Sequence, residues 1–172
     1  MKKVAERLPV GVADLLRSPG RRRTVELDAV LPDLRTSSAE VPAEEPVAVS
    51  LVLEAVSGTI VATGTAAAPW RGECGRCLRT VQGTLRARVQ ELFEPDPREG
   101  ETYLLAGDQI DLAPMVREVV LLELPIAPLC EADCAGLCPR CGADRNEVAC
   151  GCAVEDRDPR WAALDTLRLP ED

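Results

Sequence analysis

Residues 47–93, VAVSLVLEAVSGTIVATGTAAAPWRGECGRCLRTVQGTLRARVQELF, decide the fold. Val47, Val49, Leu51 and Leu53 alternate with smaller or polar residues, the period-two pattern of a strand with one buried face. Ser57-Gly58 supplies a hairpin turn into a second run over 59–67. The pattern continues through 70–79 and 81–93, where Leu85, Val89 and Phe93 fall mostly on alternating sites. This stretch predicts four or five antiparallel strands.

Towards the N-terminus, 12–17 reads as a short helix stopped by Ser18-Pro19-Gly20, and 24–31 reads as a strand. Residues 33–46 are rich in Ser, Glu, Pro and Ala without apolar periodicity, which predicts an exposed loop or flexible insertion. Beyond the sheet, Glu94-Pro95-Asp96-Pro97 marks a turn, and a short strand is expected near 103–105. The period then changes over 111–124. Asp111 is a good N-cap, Pro114 suits a first helical turn, and Leu112, Met115, Val116, Val119, Val120 and Leu122 cover one broad face. Pro125 ends this helix, and a final amphipathic helix is expected over 158–167. The fold class is α+β, an antiparallel β-sheet with one main helix and a C-terminal zinc knuckle. Residues 1–128 form its core, and the cysteine-rich 129–172 packs on that core within one domain.

Only Trp70, Trp161, Tyr103 and Phe93 are aromatic, so the core must be built mainly from Val, Leu, Ile and Ala. The net charge of −9 argues against nonspecific nucleic-acid binding by the whole surface, because that binding needs Lys and Arg on phosphates. Any RNA contact must use a local basic face. The opening MKKVAERLPVGVADLL lacks the apolar stretch of a signal peptide, and the apolar passage 119–127 is broken by Glu123 and Pro125. A cytoplasmic chain without membrane association is therefore expected. There the 8 cysteines stay reduced, and without histidine a metal cage must be built from thiolates.

The segment 130–152 reads CEADCAGLCPRCGADRNEVACGC. Cys138 and Cys141 stand three residues apart around Pro139, which fixes φ for a tight turn, while Gly142 can take the positive φ that follows it. A short hairpin then returns Cys150 and Cys152 to the same metal, with Gly151 allowing the chain to bend between them. A redox dithiol needs a βαβ context that this segment lacks, and a catalytic zinc needs an open position and usually other ligand types. Structural zinc is the favoured reading. Cys130 and Cys134 are left to join Cys74 and Cys77 in a second site tying the sheet to the C-terminal segment. Two alternatives stay open: Cys74 and Cys77 are ordinary thiols in a turn, or Cys134 exchanges with Cys150 or Cys152 as a ligand.

Arg71, Arg76, Arg79, Arg86 and Arg88 surround the Cys74/Cys77 turn and the following strand, and Arg86 and Arg88, two apart, share a strand face. With Trp70 beside them they form a candidate RNA face. The bland alternative is the solvated outside of a half-exposed strand. Acidic residues gather at 40–45, 94–101 and 155–158. There is no nucleophile elbow and no phosphate-cradling loop, so no enzyme and no small-molecule substrate are expected.

Several motifs together carry a resemblance: Leu15-Leu16-Arg17-Ser18-Pro19-Gly20, Cys74-Gly75-Arg76-Cys77-Leu78, Asp111-Leu112 with Glu118 and Leu124-Pro125, the 128–152 ending, and Asp158-Pro159-Arg160-Trp161-Ala162-Ala163-Leu164. The chain resembles the YceD family of large ribosomal RNA subunit accumulation proteins. The resemblance implies a bacterial protein that supports the synthesis, processing or stability of 23S ribosomal RNA, without established catalysis. Some members of that family lack most of the cysteines, which implies that the metal fastens the fold. The expected partner is precursor 23S rRNA or a large-subunit assembly particle. The alternatives are a chaperone-like acidic binder of a basic ribosomal protein, and a thiol redox protein using Cys74 and Cys77.

Overall fold

A computed structural model describes residues 6–18, 20–152, 160, 161 and 164. In chain order they form β1 (Pro9–Gly11), α1 (Ala13–Leu16), β2 (Arg22–Ala29), β3 (Ala39–Glu40), β4 (Val47–Val56), β5 (Thr59–Glu73), β6 (Thr80–Glu94), β7 (Tyr103–Ala106), β8 (Gln109–Asp111) and α2 (Leu112–Glu123). The sheet order is β1-β8-β7-β6-β5-β4-β2, with β3 pairing β5 off this path. Neighbours are antiparallel except β6 and β7. This is an α+β fold with one main helix.

The 47–93 stretch makes three long strands where four or five were expected. Ser57 and Gly58, at φ 51° and 83°, form the two-residue turn between β4 and β5. Pro69 does not split β5. Lacking an N–H, it falls where β5 has left β4, whose pairing ends at Ala67, and has not yet met β3 at Arg71. The partners of β5 change there while its pairing with β6 runs unbroken from Ile60–Phe93 to Glu73–Thr80. The β6–β7 parallel pair overlaps only at Phe93–Tyr103 and Glu94–Leu104, because the loop between them is too short for a full crossover.

One sheet face is apolar. Val47, Val49, Leu51, Leu53 and Ala55 of β4, Ile60, Ala62, Ala66 and Ala68 of β5, and Leu85, Ala87, Val89 and Phe93 of β6 are all buried there. α2 covers this face with Leu112, Ala113, Met115, Val116, Val119 and Val120. Each fully buried Leu, Val, Met or Phe contributes about 1.5–3 kcal/mol. The small residues of β5 let the larger ones of β4, β6 and α2 fill the volume between. Leu122, expected on the same helical face, is 79 % exposed, because its position lies about a quarter turn off the centre of the stripe. Asp111 caps α2 as expected. Its Oδ1 accepts from the backbone N–H of Ala113 at 3.0 Å and of Leu8 at 2.8 Å, while Arg7 Nε donates to Oδ2.

The expectation of an exposed loop over 33–46 is corrected in part. Leu34, Ala39 and Val41 are buried in the core, and Glu40 bridges Arg35 as well as pairing Arg71. Polar and proline-rich composition concealed three apolar anchors, of which only Ala39 and Val41 alternate, too short a run to signal a strand. The helix expected over 158–167 lies outside the described residues apart from Arg160, Trp161 and Leu164.

Candidate metal centre

The long β5–β6 hairpin ends in a turn, 74–79, and that turn carries the first pair of cysteines. Cys74 N–H donates to the carbonyl of Arg79 at 2.8 Å and Leu78 N–H to the carbonyl of Cys74 at 2.9 Å. The second pair, Cys138 and Cys141, sits in a separate turn of the same type, 138–143. Cys138 N–H donates to Ala143 O at 2.8 Å and Gly142 N–H to Cys138 O at 2.9 Å. In each, the fifth residue has a positive φ, 62° at Leu78 and 73° at Gly142. Two sequence segments 64 positions apart thus form one knuckle geometry, which brings thiols three residues apart to the same side.

After α2, Pro125 turns the chain so that Cys130 and Cys134 face the first knuckle. Pro128 O accepts from Gly75 N–H at 2.9 Å, and Arg76 O accepts from Leu137 N–H at 3.0 Å. At Gly136 a side chain would stand 3.0 Å from Arg76 O, so glycine is what permits this approach. The sulfurs of Cys74, Cys77, Cys130 and Cys134 lie within 4.8 Å of one another, as do those of Cys138, Cys141, Cys150 and Cys152. The structure therefore brings together both sets of four named from sequence and does not exchange Cys134 between them. Each cluster can hold a metal ion.

The donor set fits a soft or borderline divalent metal. Backbone amides of Cys130 and Cys77 aimed at the Cys74 sulfur hold its pKa down to about 6. The amides of Cys141 and Arg140 hold Cys138 down to about 6 in the same way. The partners behave oppositely. Burial, followed by the neighbouring Cys134 sulfur, pushes Cys130 up to about 12. At Cys152 the Cys141 sulfur, followed by burial, has the same effect, to about 12. Four sulfurs this close cannot all ionise without a cation between them.

Of the five arginines proposed for RNA, three are engaged locally. Arg71 pairs with Glu40 at 2.6 Å, Arg76 donates to the carbonyls of Ala132 and Cys134, and Arg79 forks onto Asp144 and Glu147. Arg86 and Arg88 remain, side by side and exposed on the sheet face opposite α2, with no ion pair among the described residues. Across the ladder, Arg88 is followed by Thr65, Ser50 and Glu26, and Arg86 by Ala67, Ala48 and Asp28. The expected place of Trp70 is corrected: it shares the inner face with Ala66 and Ala68 and packs against the core and Gly83, away from Arg86 and Arg88. Alternation from Ala66 to Trp70 carried that signal, but Pro69 obscured it. Asn146 was missed altogether. Its Nδ2 stands 3.4 Å from Cys134 Sγ and its Oδ1 accepts from Ala135 N–H, so it links the second knuckle's loop to the first cluster. The Asp-Arg-Asn turn between the cysteine pairs was its only sequence signal. No helix among the described residues is long and apolar enough to cross a membrane.

The family model described as Large ribosomal RNA subunit accumulation protein YceD matches residues 62–168. An uncharacterized protein of Mycobacterium tuberculosis is 37 % identical over 177 residues, covering 98 % of this chain and 84 % of the relative. The Arabidopsis thaliana protein named Large ribosomal RNA subunit accumulation protein YCED homolog 1, chloroplastic, is 37 % identical over 60 residues, 35 % of this chain and 19 % of the relative. The uncharacterized Bacillus subtilis protein YlbN is 31 % identical over 104 residues, 58 % of this chain and 60 % of the relative. No solved structure matches the chain.

Proposed function

The chain belongs to the YceD family of large ribosomal RNA subunit accumulation proteins, and from that premise we propose that it supports 23S rRNA accumulation as a non-catalytic, cytoplasmic assembly factor built around two structural zinc ions. The metal reading rests on sulfur spacing. Sulfurs about 2.3 Å from a tetrahedral zinc stand roughly 3.8 Å from one another. Here Cys74 Sγ and Cys134 Sγ are 3.8 Å apart, and Cys77 Sγ and Cys130 Sγ 3.5 Å. Each cage offers four protein sulfurs and leaves no position for a substrate, which suits a fastener.

One observation carries the contact surface: Arg86 and Arg88 are exposed and have no ion pair among the described residues, while Arg71, Arg76 and Arg79 are held by carboxylates or carbonyls. Successive outward residues of a strand stand about 6.5–7 Å apart, so the pair can engage neighbouring phosphates of one RNA strand. The test is Arg86→Glu with Arg88→Glu, read by in-cell crosslinking to large-subunit RNA precursors and by affinity for a precursor transcript in vitro. Loss of roughly tenfold or more in affinity, with a shallower salt dependence, is the expected result. Unchanged association overturns the arginine face. Glu26 and Asp28 at the far edge of the same face support the second reading, a basic ribosomal protein as partner. Association that survives the arginine reversal but is lost in Glu26→Lys with Asp28→Lys selects it.

A further inference from the structure

The two cages are built from different amounts of the fold. The inner cage, Cys74, Cys77, Cys130 and Cys134, draws on the β5–β6 hairpin tip and on the chain leaving α2. Cys74, Cys77 and Cys134 are buried, with Val81 and Leu137 packed against them. The outer cage lies wholly within residues 138–152. Only Cys138 is buried, Cys150 and Cys152 are half-buried, and Cys141 is exposed.

The outer knuckle also leans on the inner one. Leu137 N–H reaches Arg76 O, the Leu137–Asp144 bridge and the Arg145 N–H to Gly136 O bond close its hairpin, and Arg79 clamps Asp144 and Glu147. Asn146 crosses from this hairpin to the Cys134 sulfur. Contacts supporting the inner ligands come from the β5–β6 hairpin tip and the chain after α2, with Asn146 the one addition from the outer hairpin among the described residues. Those supporting the outer ligands come from a single loop of 15 residues and a few exposed polar bonds.

We propose that the outer cage is an exchangeable metal site: zinc leaves and returns there while the inner cage stays loaded, and its occupancy orders or releases the 138–152 hairpin. This rests on the two-zinc reading. A chelator or a competing thiol must form its first bond to the metal from solvent, and only the outer cage has an exposed ligand beside which it can do so. Opening it disturbs one hairpin, whereas opening the inner cage separates β5–β6 from the chain after α2. Releasing the hairpin also removes Asp144 and Glu147 from Arg79, two residues after Cys77, and removes the Asn146 contact from Cys134.

The experiment takes full-length protein loaded with zinc and mixes it with a chromophoric chelator, following release over time. Total zinc is measured first. A content of one ion per chain overturns the two-zinc reading itself. With two ions present, the expected record is one equivalent released fast and the other roughly tenfold slower or more, the scale on which supporting contacts tune metal affinity. Cys141→Ser removes the fast phase and keeps the slow one. Proteolysis during the fast phase cuts within 138–152 and spares the sheet. A single phase for both ions, or a fast phase that persists in Cys141→Ser, overturns the proposal. Cys77→Ser serves as the control for the slow phase. If that variant fails to fold, the unmodified chain's two phases and the cleavage site still decide.

Discussion

The two knuckles have the same backbone and different surroundings. Both close with a hydrogen bond from the fifth residue to the first carbonyl, and both depress the first cysteine to a pKa of about 6 through backbone amides. One is the tip of a hairpin whose strands lie in the core. The other is a loop on the outside of the first. The local turn therefore makes a ligand pair, and the rest of the fold determines how much structure depends on it. A metal held by four cysteines of one small loop would organise only that loop, whereas one held by four cysteines from two distant segments would tie those segments together.

Removing one thiol from each knuckle should produce the largest difference between them. Cys77→Ser should cost more than about 4 kcal/mol or prevent folding, as expected when a metal that closes long-range contacts is lost. Cys141→Ser should leave the sheet's denaturation midpoint nearly unchanged and disorder 138–152. Denaturation followed by sheet-specific and loop-specific probes checks both, and equal losses would erase the distinction.

Protons test what the cages share. At pH 7.5 in metal-free protein Cys74 and Cys138, near 6, are thiolates, whereas Cys130 and Cys152, near 12, still carry protons. Binding must displace at least those protons. Affinity should therefore rise with pH by about tenfold per unit for each proton released, and fall correspondingly on acidification. Proton release on adding zinc in weak buffer measures it, and a pH-independent affinity would contradict thiolate ligation at both cages.

A smaller effect is expected at one local difference between the knuckles, the fifth residue. Leu78 holds at φ 62° the position that Gly142 holds at φ 73°, and it is 58 % exposed, so burial does little to offset the strain. Leu78→Gly should stabilise the first knuckle by at most about 1 kcal/mol, since glycine accepts that φ without the clash of a Cβ. A loss of stability, read by thermal denaturation, would instead show that the Leu78 side chain makes a contact worth more than its strain.

The cysteine sets were legible in the chain because ligand spacing is a local property: CGRC and CPRC each fit one turn, and eight thiols without histidine divide into two fours. The cap at Asp111, the stop at Pro125 and the Ser57-Gly58 turn were legible for the same reason. Strand count was not, because a proline inside β5 looks like a break until its neighbours are known. Nor were Leu34, Ala39 and Val41 visible as anchors, since the single alternation from Ala39 to Val41 is too short to stand out in a polar, proline-rich stretch.

For the arginines the division is sharper. Composition and alternation alone put Arg86 and Arg88 on one strand face. Which of the five arginines are engaged was decided by residues far away in sequence: Glu40 for Arg71, Asp144 and Glu147 for Arg79, and the carbonyls of Ala132 and Cys134 for Arg76. Residue types and short spacings set what each segment can bind. Partners and burial depend on which segments meet, so only the tertiary structure could distinguish the inner cysteine cluster from the outer, and Arg71, Arg76 and Arg79 from Arg86 and Arg88.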